Sequence, residues 1–299
     1  MKTGFVSIIG RPNVGKSTLL NTILGEKIAI TTDKPQTTRN TIRGIYTHYA
    51  DDILKEDMQL VFIDTPGIHR PRTKLGEYMT ESATGTFKEV DAIIFIVDDR
   101  LSDGPGDRYI VDMLDSVTTP KILVINKIDK LEPDVFEEIY NEYDQTGIFE
   151  DIIGVSAKEG KNITDVIKSV SEFMEEGPMF FPDDMITEHP ERFIVSEIIR
   201  EKILMYLQDE VPHGVAVEIE GYREEQNITR ISAVIYCEKK SHKGMIIGKG
   251  GRKLKGIGKS AREEIEALLG TKVFLELWVK VKENWRDSDI ALSNFGYKD

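Results

Sequence analysis

The stretch Gly10-Arg-Pro-Asn-Val-Gly-Lys-Ser17 decides the fold of the amino-terminal half of this chain. It matches the phosphate-binding pattern G-x-x-x-x-G-K-[ST], and it lies between the apolar run Phe5–Ile9 and a helix-like segment, as that pattern requires. In such a loop, backbone N–H groups converge on phosphate oxygens, the Lys16 amine reaches the terminal phosphates and the Ser17 hydroxyl can bind Mg²⁺. The pattern therefore predicts a nucleotide-binding loop made of Gly10, Arg11, Pro12, Asn13, Val14, Gly15, Lys16, Ser17 and Thr18.

Short apolar runs alternate with helix-like segments from Phe5 to about Glu175. This alternation predicts an α/β domain with a mainly parallel sheet, which we assign to residues 1–175. In such a sheet, ligands bind beyond the carboxyl ends of the strands. The predicted buried strands are Phe5–Ile9, Leu60–Ile63, Ala92–Val97, Lys121–Ile125 and Ile152–Val155.

Three prolines between residues 176 and 190 interrupt this alternation and predict a linker, which we place at residues 176–191. A second domain, of the α+β class, is expected over residues 192–299. Its pattern predicts a glycine-rich turn before the second helix. The other elements are predicted as a helix at Phe193–Gln208, strands at Val215–Glu220 and Thr229–Glu238, a helix at Lys253–Leu268 and a strand at Lys272–Val281.

Length and composition narrow the class of protein. A chain of 299 residues suits two domains, and a net charge of -13 disfavours a protein that coats nucleic acid nonspecifically. Cys237 is the only cysteine, so no internal disulfide and no CxxC site can form, which favours the reducing cytoplasm. We expect no signal peptide and no transmembrane segment, although peripheral attachment to the inner face of the cell membrane is compatible with this composition.

A second motif, Asp64-Thr65-Pro66-Gly67, follows the predicted strand Leu60–Ile63. Its position at a strand end, downstream of the phosphate loop, places the Asp64 carboxylate in the outer coordination sphere of Mg²⁺. The same position brings the Gly67 N–H near a γ-phosphate. Together with the next residue, Ile68, this motif belongs to the predicted nucleotide site.

The base is indicated by Asn126-Lys127-Ile128-Asp129, which ends another predicted strand. A buried carboxylate at Asp129 would accept hydrogen bonds from guanine N1–H and the 2-amino group, whereas adenine offers neither. Alone, the motif is also compatible with a helix start capped by Asp129. At the next strand end a backbone N–H can meet guanine O6, and the motif there is Ser156-Ala157-Lys158.

These motifs, in this order, resemble those of translation-factor-like GTPases. Over the whole chain the resemblance is to the Era family of ribosome-assembly GTPases, which carry a carboxyl-terminal KH domain. It extends through Gln36-Thr-Thr-Arg-Asn40, Asp64-Thr-Pro-Gly-Ile-His69 and Lys74-Leu-Gly-Glu-Tyr78. The resemblance implies Mg²⁺-dependent hydrolysis of GTP to GDP and phosphate. It also implies a first switch around Gln36–Asn40, in which we select Thr38 as the Mg²⁺ ligand that senses the γ-phosphate.

Catalysis in this chain must differ from that of Ras-like enzymes. Ile68 stands where those enzymes place a water-orienting glutamine, and an apolar side chain cannot orient water. In related GTPases that use K⁺ instead of an arginine finger, an asparagine stands at the loop position of Asn13. We therefore hypothesise that Asn13 binds a K⁺ ion that stabilises transition-state charge, the alternative being that it only caps the loop. The predicted catalytic set is Lys16, Thr38, Gly67 and Asn13.

The second domain contains a strongly basic stretch. From Lys239 to Arg262 there are nine Lys or Arg and no Asp or Glu. The rest of the chain has 30 basic and 52 acidic residues. A G-x-x-G turn before a helix lets a nucleic-acid backbone approach closely, and the stretch resembles a KH domain with a carboxyl-terminal strand. The predicted RNA contacts are Lys243, Ile246, Ile247, Gly248, Lys249, Gly250, Gly251, Arg252, Lys253 and Lys255.

The resemblance, and not the composition, implies the 3′ region of 16S rRNA and the small ribosomal subunit as partners, with a role in subunit assembly. We expect a monomer. Trp278 and Trp285 could stack bases, but we expect each of them to pack in the core. Two other functions agree less well with these motifs. A P-loop kinase or ATPase has no use for Asp129, and an RNA-binding protein whose nucleotide domain serves binding only would not need Lys16, Ser17, Thr38 and Asp64 together.

Overall fold

The computed structural model describes residues 1–34, 36–207 and 214–297. Contacts between Cα atoms divide the chain into two compact units. The first unit contains Met1–Ala29, Thr38–Pro71 and Met79–Glu188. The second contains Ile30–Thr37, Arg72–Tyr78 and His189–Asp299, so two short segments of the amino-terminal half cluster with the carboxyl-terminal half.

The sheet of the first unit has the strand order β2-β3-β1-β4-β5-β6, and β7 pairs with β1. β1 is parallel to β3 and β4, and β5 is parallel to β4 and β6, whereas β2 and β7 are antiparallel to their neighbours. This confirms the mainly parallel α/β fold. The strands are β1 (Lys2–Ile9), β2 (Ile42–His48), β3 (Met58–Asp64), β4 (Ala92–Val97), β5 (Lys121–Ile125), β6 (Asp151–Gly154) and β7 (Glu175–Glu176).

Helices flank this sheet, and the strands between them are apolar on both faces, as parallel strands require. Every residue of β3, β4 and β5 is buried. Because β1, β3, β4 and β5 are parallel, their carboxyl ends meet at one edge of the sheet. The helices are α1 (Lys16–Leu24), α2 (Lys74–Gly85), α3 (Pro105–Leu114), α4 (Pro133–Asp144) and α5 (Ile163–Ser171).

The antiparallel strand β2 was not predicted from the sequence. Gly44, the third residue of this strand, packs closely on α1, because an added Cβ would lie 2.6 Å from Leu24 Cδ1. The predicted linker lies along this strand. Ile45 N donates to Ile186 O at 2.8 Å, and the boundary between the two units, after Glu188, falls inside the segment 176–191.

The second unit has a three-stranded sheet of order β10-β9-β8, with β8 and β9 antiparallel and β9 and β10 parallel. This confirms the α+β class with a carboxyl-terminal strand. The structure adds α7, which was predicted as part of a glycine-rich turn, and Gln208 of the predicted first helix lies outside the described residues. The elements are α6 (Glu191–Tyr206), β8 (Val215–Glu225), β9 (Ile228–Cys237), α7 (Lys240–Ile247), α8 (Arg252–Leu269), β10 (Lys272–Val281) and α9 (Asp289–Asn294).

The two tryptophans have different environments. Trp285 is fully buried and its Nε1 donates to Gly214 O at 3.0 Å, as expected of a core residue. Trp278 is 61% exposed, so its prediction as a core residue was wrong. The physical reason is the alternation of β10, which directs Val273 and Val279 into the core and Trp278 to the opposite face. Among the described residues, no helix is long and apolar enough to cross a membrane.

Candidate nucleotide site and nucleic-acid groove

The phosphate loop connects β1 to α1 through backbone conformations that few residues adopt. Gly10, Asn13 and Gly15 have φ values of 154°, 68° and 108°. Gly15 is also required for space, because an added Cβ would lie 2.2 Å from Asn126 Nδ2. The loop that the sequence predicted is therefore packed directly against the predicted guanine motif.

Lys16 lies buried inside this loop. Its Nζ donates to the carbonyl oxygens of Gly10 at 3.2 Å and Arg11 at 2.8 Å. Burial lowers the pKa of the Lys16 amine to about 8, and the negative charge of Asp64 offsets part of that effect. A phosphate group beside this amine would supply the negative charge that its burial requires.

The three predicted magnesium residues are brought together, although they come from different parts of the chain. Ser17 Oγ donates to Asp64 Oδ2 at 2.6 Å and lies 2.8 Å from Thr38 Oγ1, and Thr38 Oγ1 lies 3.4 Å from the same carboxylate oxygen. Within the described residues, the buried Asp64 Oδ1 has no hydrogen-bond partner. Hydroxyl and carboxylate oxygens are the ligands that Mg²⁺ prefers, so this oxygen set fits the ion.

The buried position of Asp64 affects its protonation. Burial raises the pKa of this carboxyl to about 6, although the Lys16 amine and the hydroxyls of Ser17 and Thr38 favour its charged form. A nearby cation favours the charged form of such a buried carboxyl group. The electrostatics of the site therefore agree with the binding of a divalent ion.

The DxPG segment packs on the phosphate loop. Thr65 Oγ1 donates to Ile8 O at 2.8 Å, and Ile68 N donates to Gly10 O at 3.1 Å. An added Cβ at Gly67 would lie 2.7 Å from Pro12 N, so only glycine allows this approach. The Ile68 side chain is fully buried in the core of the first unit, so it does not line the phosphate site.

The guanine motif joins three loops. Asn126 Nδ2 donates to Val14 O at 2.8 Å, and Lys127 Nζ donates to Asn13 O at 3.0 Å. Asn126 Oδ1 accepts from the Ala157 N–H at 3.0 Å. The Ala157 N–H is one of the amides that the sequence placed near guanine O6, and here it joins two loops. Which N–H of Ser156–Lys158 meets the base therefore stays a prediction.

Asp129 is exposed, where the sequence argument expected a buried acceptor. Ser156 Oγ donates to Asp129 Oδ1 at 2.6 Å, and this hydrogen bond lowers the pKa of the carboxyl. The group is therefore charged at neutral pH and able to accept from two donors of a base that would cover it. Guanine selection by Asp129 stays a prediction.

The second unit contains a groove of about 790 Å³ beside the glycine-rich turn. Two leucines of β10 form one wall and α8 forms the other. An added Cβ at Gly258 would lie 3.4 Å from Leu277 Cδ1, so the two walls lie close together at this glycine. The groove is lined by Gly251, Arg252, Leu254, Lys255, Gly256, Gly258, Lys259, Arg262, Leu275 and Leu277.

The chain matches two family models, described as a 50S ribosome-binding GTPase at residues 5–127 and a KH domain at residues 210–286. It is 60% identical over 298 residues to the GTPase Era of Alkaliphilus oremlandii, with 99% of each chain covered. It is also 60% identical over 301 residues to the GTPase Era of Clostridioides difficile, which covers 100% of this chain and 99% of that one. The chain belongs to the Era family of GTPases.

Two solved structures extend the likeness to three dimensions. Era in complex with MgGDPNP and nucleotides 1506–1542 of 16S ribosomal RNA is 39% identical, with a TM-score of 0.92 and full coverage of both chains. A variant of Aquifex aeolicus Era bound to GDP.AlF4- is 38% identical, with the same TM-score and coverage. The GTPase and KH folds expected from the sequence are therefore those of this family.

The groove corrects the predicted set of RNA contacts. Ile246 is fully buried, because α7 directs it into the core of the second unit, and it offers no surface to a ligand. Lys249 and Gly250 are exposed at the turn. The groove is also lined by Lys259, Arg262 and the leucines of β10, which the sequence prediction did not include. The signal that could have located this groove was the pair of glycines inside α8, where helix propensity disfavours them.

Proposed function

We propose that this Era-family GTPase hydrolyses GTP at the phosphate loop and uses its nucleotide state to control binding of the 3′ region of 16S rRNA by the KH groove, in small-subunit assembly. The observation that carries the proposal is the position of Thr37 and Thr38. Thr38 contributes its hydroxyl to the magnesium site, while Arg200 of α6 donates a hydrogen bond to the Thr37 carbonyl within the second unit. Loss of the γ-phosphate would release Thr38 and thereby let Thr37, the residue that Arg200 contacts, change position.

The contact at Thr37 is part of a buried polar cluster. Arg200 is 1% exposed and its Nε donates to Glu197 Oε1 at 2.7 Å. One helical turn away from Glu197, the Glu201 carboxylate accepts from Thr31 N at 3.0 Å. Buried ion pairs contribute little to net stability but can specify one arrangement of the groups they contact. This supports a role in fixing the segment Ile30–Thr37.

A second segment, Arg72–Tyr78, belongs to the same unit. Lys74 N donates to Asp287 Oδ1 at 3.2 Å, and the Lys74 amine pairs with Asp289. The rings of Tyr78 and Tyr297 lie 6.4 Å apart. Because Arg72–Tyr78 follows the DxPG motif in sequence, we propose that it also responds to the γ-phosphate. Like Ile30–Thr37, it belongs to the unit that contains the KH domain.

In this proposal Ser17 and Thr38 would hold Mg²⁺, with Asp64 in its outer sphere, and the bound ion would supply charge neutralisation at the phosphates. Lys16 would contact the terminal phosphates and the Gly67 N–H would bind the γ-phosphate. We also propose that Asn13, exposed in the left-handed conformation, binds a K⁺ ion beside the nucleotide. These groups stabilise charge and orient phosphates, and no side chain of the set acts as a general base.

The KH groove supports the RNA partner. Its apolar walls suit unstacked bases, and its rim carries the basic residues Arg252, Lys255, Lys259 and Arg262. A relative that matches this chain over its full length was solved with 16S rRNA nucleotides 1506–1542. We propose that the chain acts as a monomer in the cytoplasm, with peripheral attachment to the inner face of the cell membrane as a further possibility that cell fractionation tests.

The proposed activity is tested by phosphate release. Purified protein should release phosphate from GTP in the presence of Mg²⁺, and neither EDTA-treated samples nor ATP should give this release. A tightly bound but unhydrolysed GTP would favour the alternative, an RNA-binding protein whose nucleotide domain serves binding only. Equal turnover of ATP and GTP would favour an ATPase instead.

A further inference from the structure

Four charged side chains form a connected series beside the phosphate loop, and all of them lie in the first unit. Arg11 Nε donates to Asp107 Oδ2 at 2.7 Å, and Arg11 Nη2 lies 3.3 Å from Asp98 Oδ1. The second oxygen of Asp98 pairs with the Lys127 amine. We call these four residues, Arg11, Asp98, Asp107 and Lys127, the charge chain.

The charge chain joins loops that are far apart in sequence. Arg11 belongs to the phosphate loop and Lys127 to the guanine motif, whereas Asp98 follows β4 and Asp107 lies in the first turn of α3. Asp98 uses one oxygen for each of the two loops. This carboxylate is therefore in a position to fix the phosphate loop relative to the guanine motif.

The Arg11 side chain is held closely on α3. Asp107 is 2% exposed, and burial raises the pKa of its carboxyl while the hydrogen bond from Arg11 offsets that effect. An added Cβ at Gly106 would lie 2.5 Å from Arg11 Cδ, so the arginine stem packs directly on the helix backbone. Such close packing beside a buried ion pair leaves the guanidinium few alternative positions.

Both ends of the charge chain reach the groups that would surround the phosphates. The main-chain carbonyl of Arg11 accepts from Lys16 Nζ at 2.8 Å. Lys127 Nζ donates to Asn13 O at 3.0 Å as well as pairing with Asp98. The backbone of residues 11–13 is therefore held from one side by α3 and from the other by the guanine motif.

We propose that Asp98 and Asp107 are positioning residues for nucleotide binding, which hold the phosphate loop and the guanine motif in one geometry and thereby slow nucleotide release. The inference rests on the proposed guanine-nucleotide site. A loop that is ordered before binding loses less conformational entropy when it binds, and this advantage is expressed mainly in the dissociation rate. Both carboxylates act through Arg11 and Lys127, so the expected effect is on the rate of nucleotide release.

The test compares the isosteric substitutions Asp98→Asn and Asp99→Asn in the full chain. Asp99 is the exposed neighbour of Asp98, so both variants change net charge equally. Dissociation is followed by chasing a fluorescent GDP analogue with unlabelled GDP. We expect D98N to release GDP about tenfold faster than the wild type, because two charge-assisted contacts lose their anion, and D99N to change the rate by less than about twofold.

A merely structural role would give a different result. It would lower the unfolding midpoint of the nucleotide-free protein and the fraction that binds, without changing the dissociation rate of the fraction that does bind. Asp107→Asn should also speed GDP release. If this buried substitution prevents folding, the comparison of D98N with D99N tests the inference by itself. Equal dissociation rates for D98N and D99N would overturn the inference, whereas a wild-type chain that binds no GDP would overturn the proposed nucleotide site.

Discussion

The Arg200 guanidinium donates a hydrogen bond to the main-chain carbonyl of Thr37, one residue before the threonine whose hydroxyl meets Ser17. The two partners are 163 positions apart in sequence, and both belong to the second unit. Thr38, at the magnesium site, is therefore joined by one peptide bond to Thr37, which belongs to the unit that contains the KH domain. We propose that a change at the γ-phosphate reaches α6 through this peptide bond and the hydrogen bond from Arg200.

Substitution of Arg200 should weaken the coupling between nucleotide and RNA. R200M alone leaves Glu197 buried without its cation and is expected to lower the free energy of unfolding by about 3 kcal/mol. The double variant E197L/R200M removes both charges and should be close to the wild type in stability. In that variant, the ratio of RNA affinities in the GDPNP and GDP states should fall toward one. Arg192→Met, at an exposed position of the same helix, is the control and should keep the wild-type ratio.

Asp64→Asn should separate stability from metal binding. Without Mg²⁺, the Asp64 pKa is raised from 3.8 to about 6, so the folded chain binds this proton more tightly than the unfolded chain. Protonation of Asp64 therefore stabilises the folded chain. This contribution is fully present below pH 3.8 and is lost as the pH rises through about 6. At pH 7.5 in EDTA, we expect D64N to be more stable than the wild type by about 1 to 3 kcal/mol in urea unfolding.

The same substitution should weaken Mg²⁺ binding roughly 10- to 100-fold. Asp52→Asn, at an exposed position, is the control and should change neither quantity. A D64N variant that is less stable than the wild type at pH 7.5, or that keeps full Mg²⁺ affinity, would contradict the assignment of this carboxylate.

The monovalent cation tests the role of Asn13. At equal ionic strength, turnover of GTP should be faster in K⁺ than in Na⁺, and Asn13→Ala should lower the K⁺ rate to the Na⁺ rate while leaving the Na⁺ rate unchanged. The physical reason is that K⁺ supplies positive charge where charge develops on the phosphates. Equal wild-type rates in the two salts would leave Asn13 only as a structural residue of the loop.

Gly258→Leu should close the KH groove without affecting hydrolysis. The added side chain would enter the space in front of Leu277, and loss of base contacts should weaken RNA binding by at least about tenfold in every nucleotide state. Ala267→Leu, at an exposed position of the same helix, is the matched control. RNA affinity is measured by fluorescence anisotropy with a labelled oligonucleotide. If G258L binds as tightly as A267L, the bases do not enter this groove.

The sequence predicted the features that depend on local patterns and left out those that depend on tertiary contacts. Gly10–Ser17 lies on one loop, so its motif and its neighbouring strand and helix could be recognised directly. The partnership of Arg200 with Thr37 could not be recognised, because nothing in either segment points to the other. Trp278 was assigned to the core because its residue type favours burial, whereas the register of β10 decides which face it occupies. The segment Lys240–Ile247 looked like a basic turn, but it forms a helix because Ile246 packs in the core.

The most direct test of the central claim is the affinity of the full chain for an oligonucleotide of the 16S rRNA 3′ region, measured with GDPNP, with GDP and without nucleotide. We expect binding to be at least about tenfold tighter with GDPNP than with GDP, which corresponds to about 1.4 kcal/mol of coupling free energy. Equal affinities in the three states would contradict the account, because the nucleotide would then have no control over the KH groove.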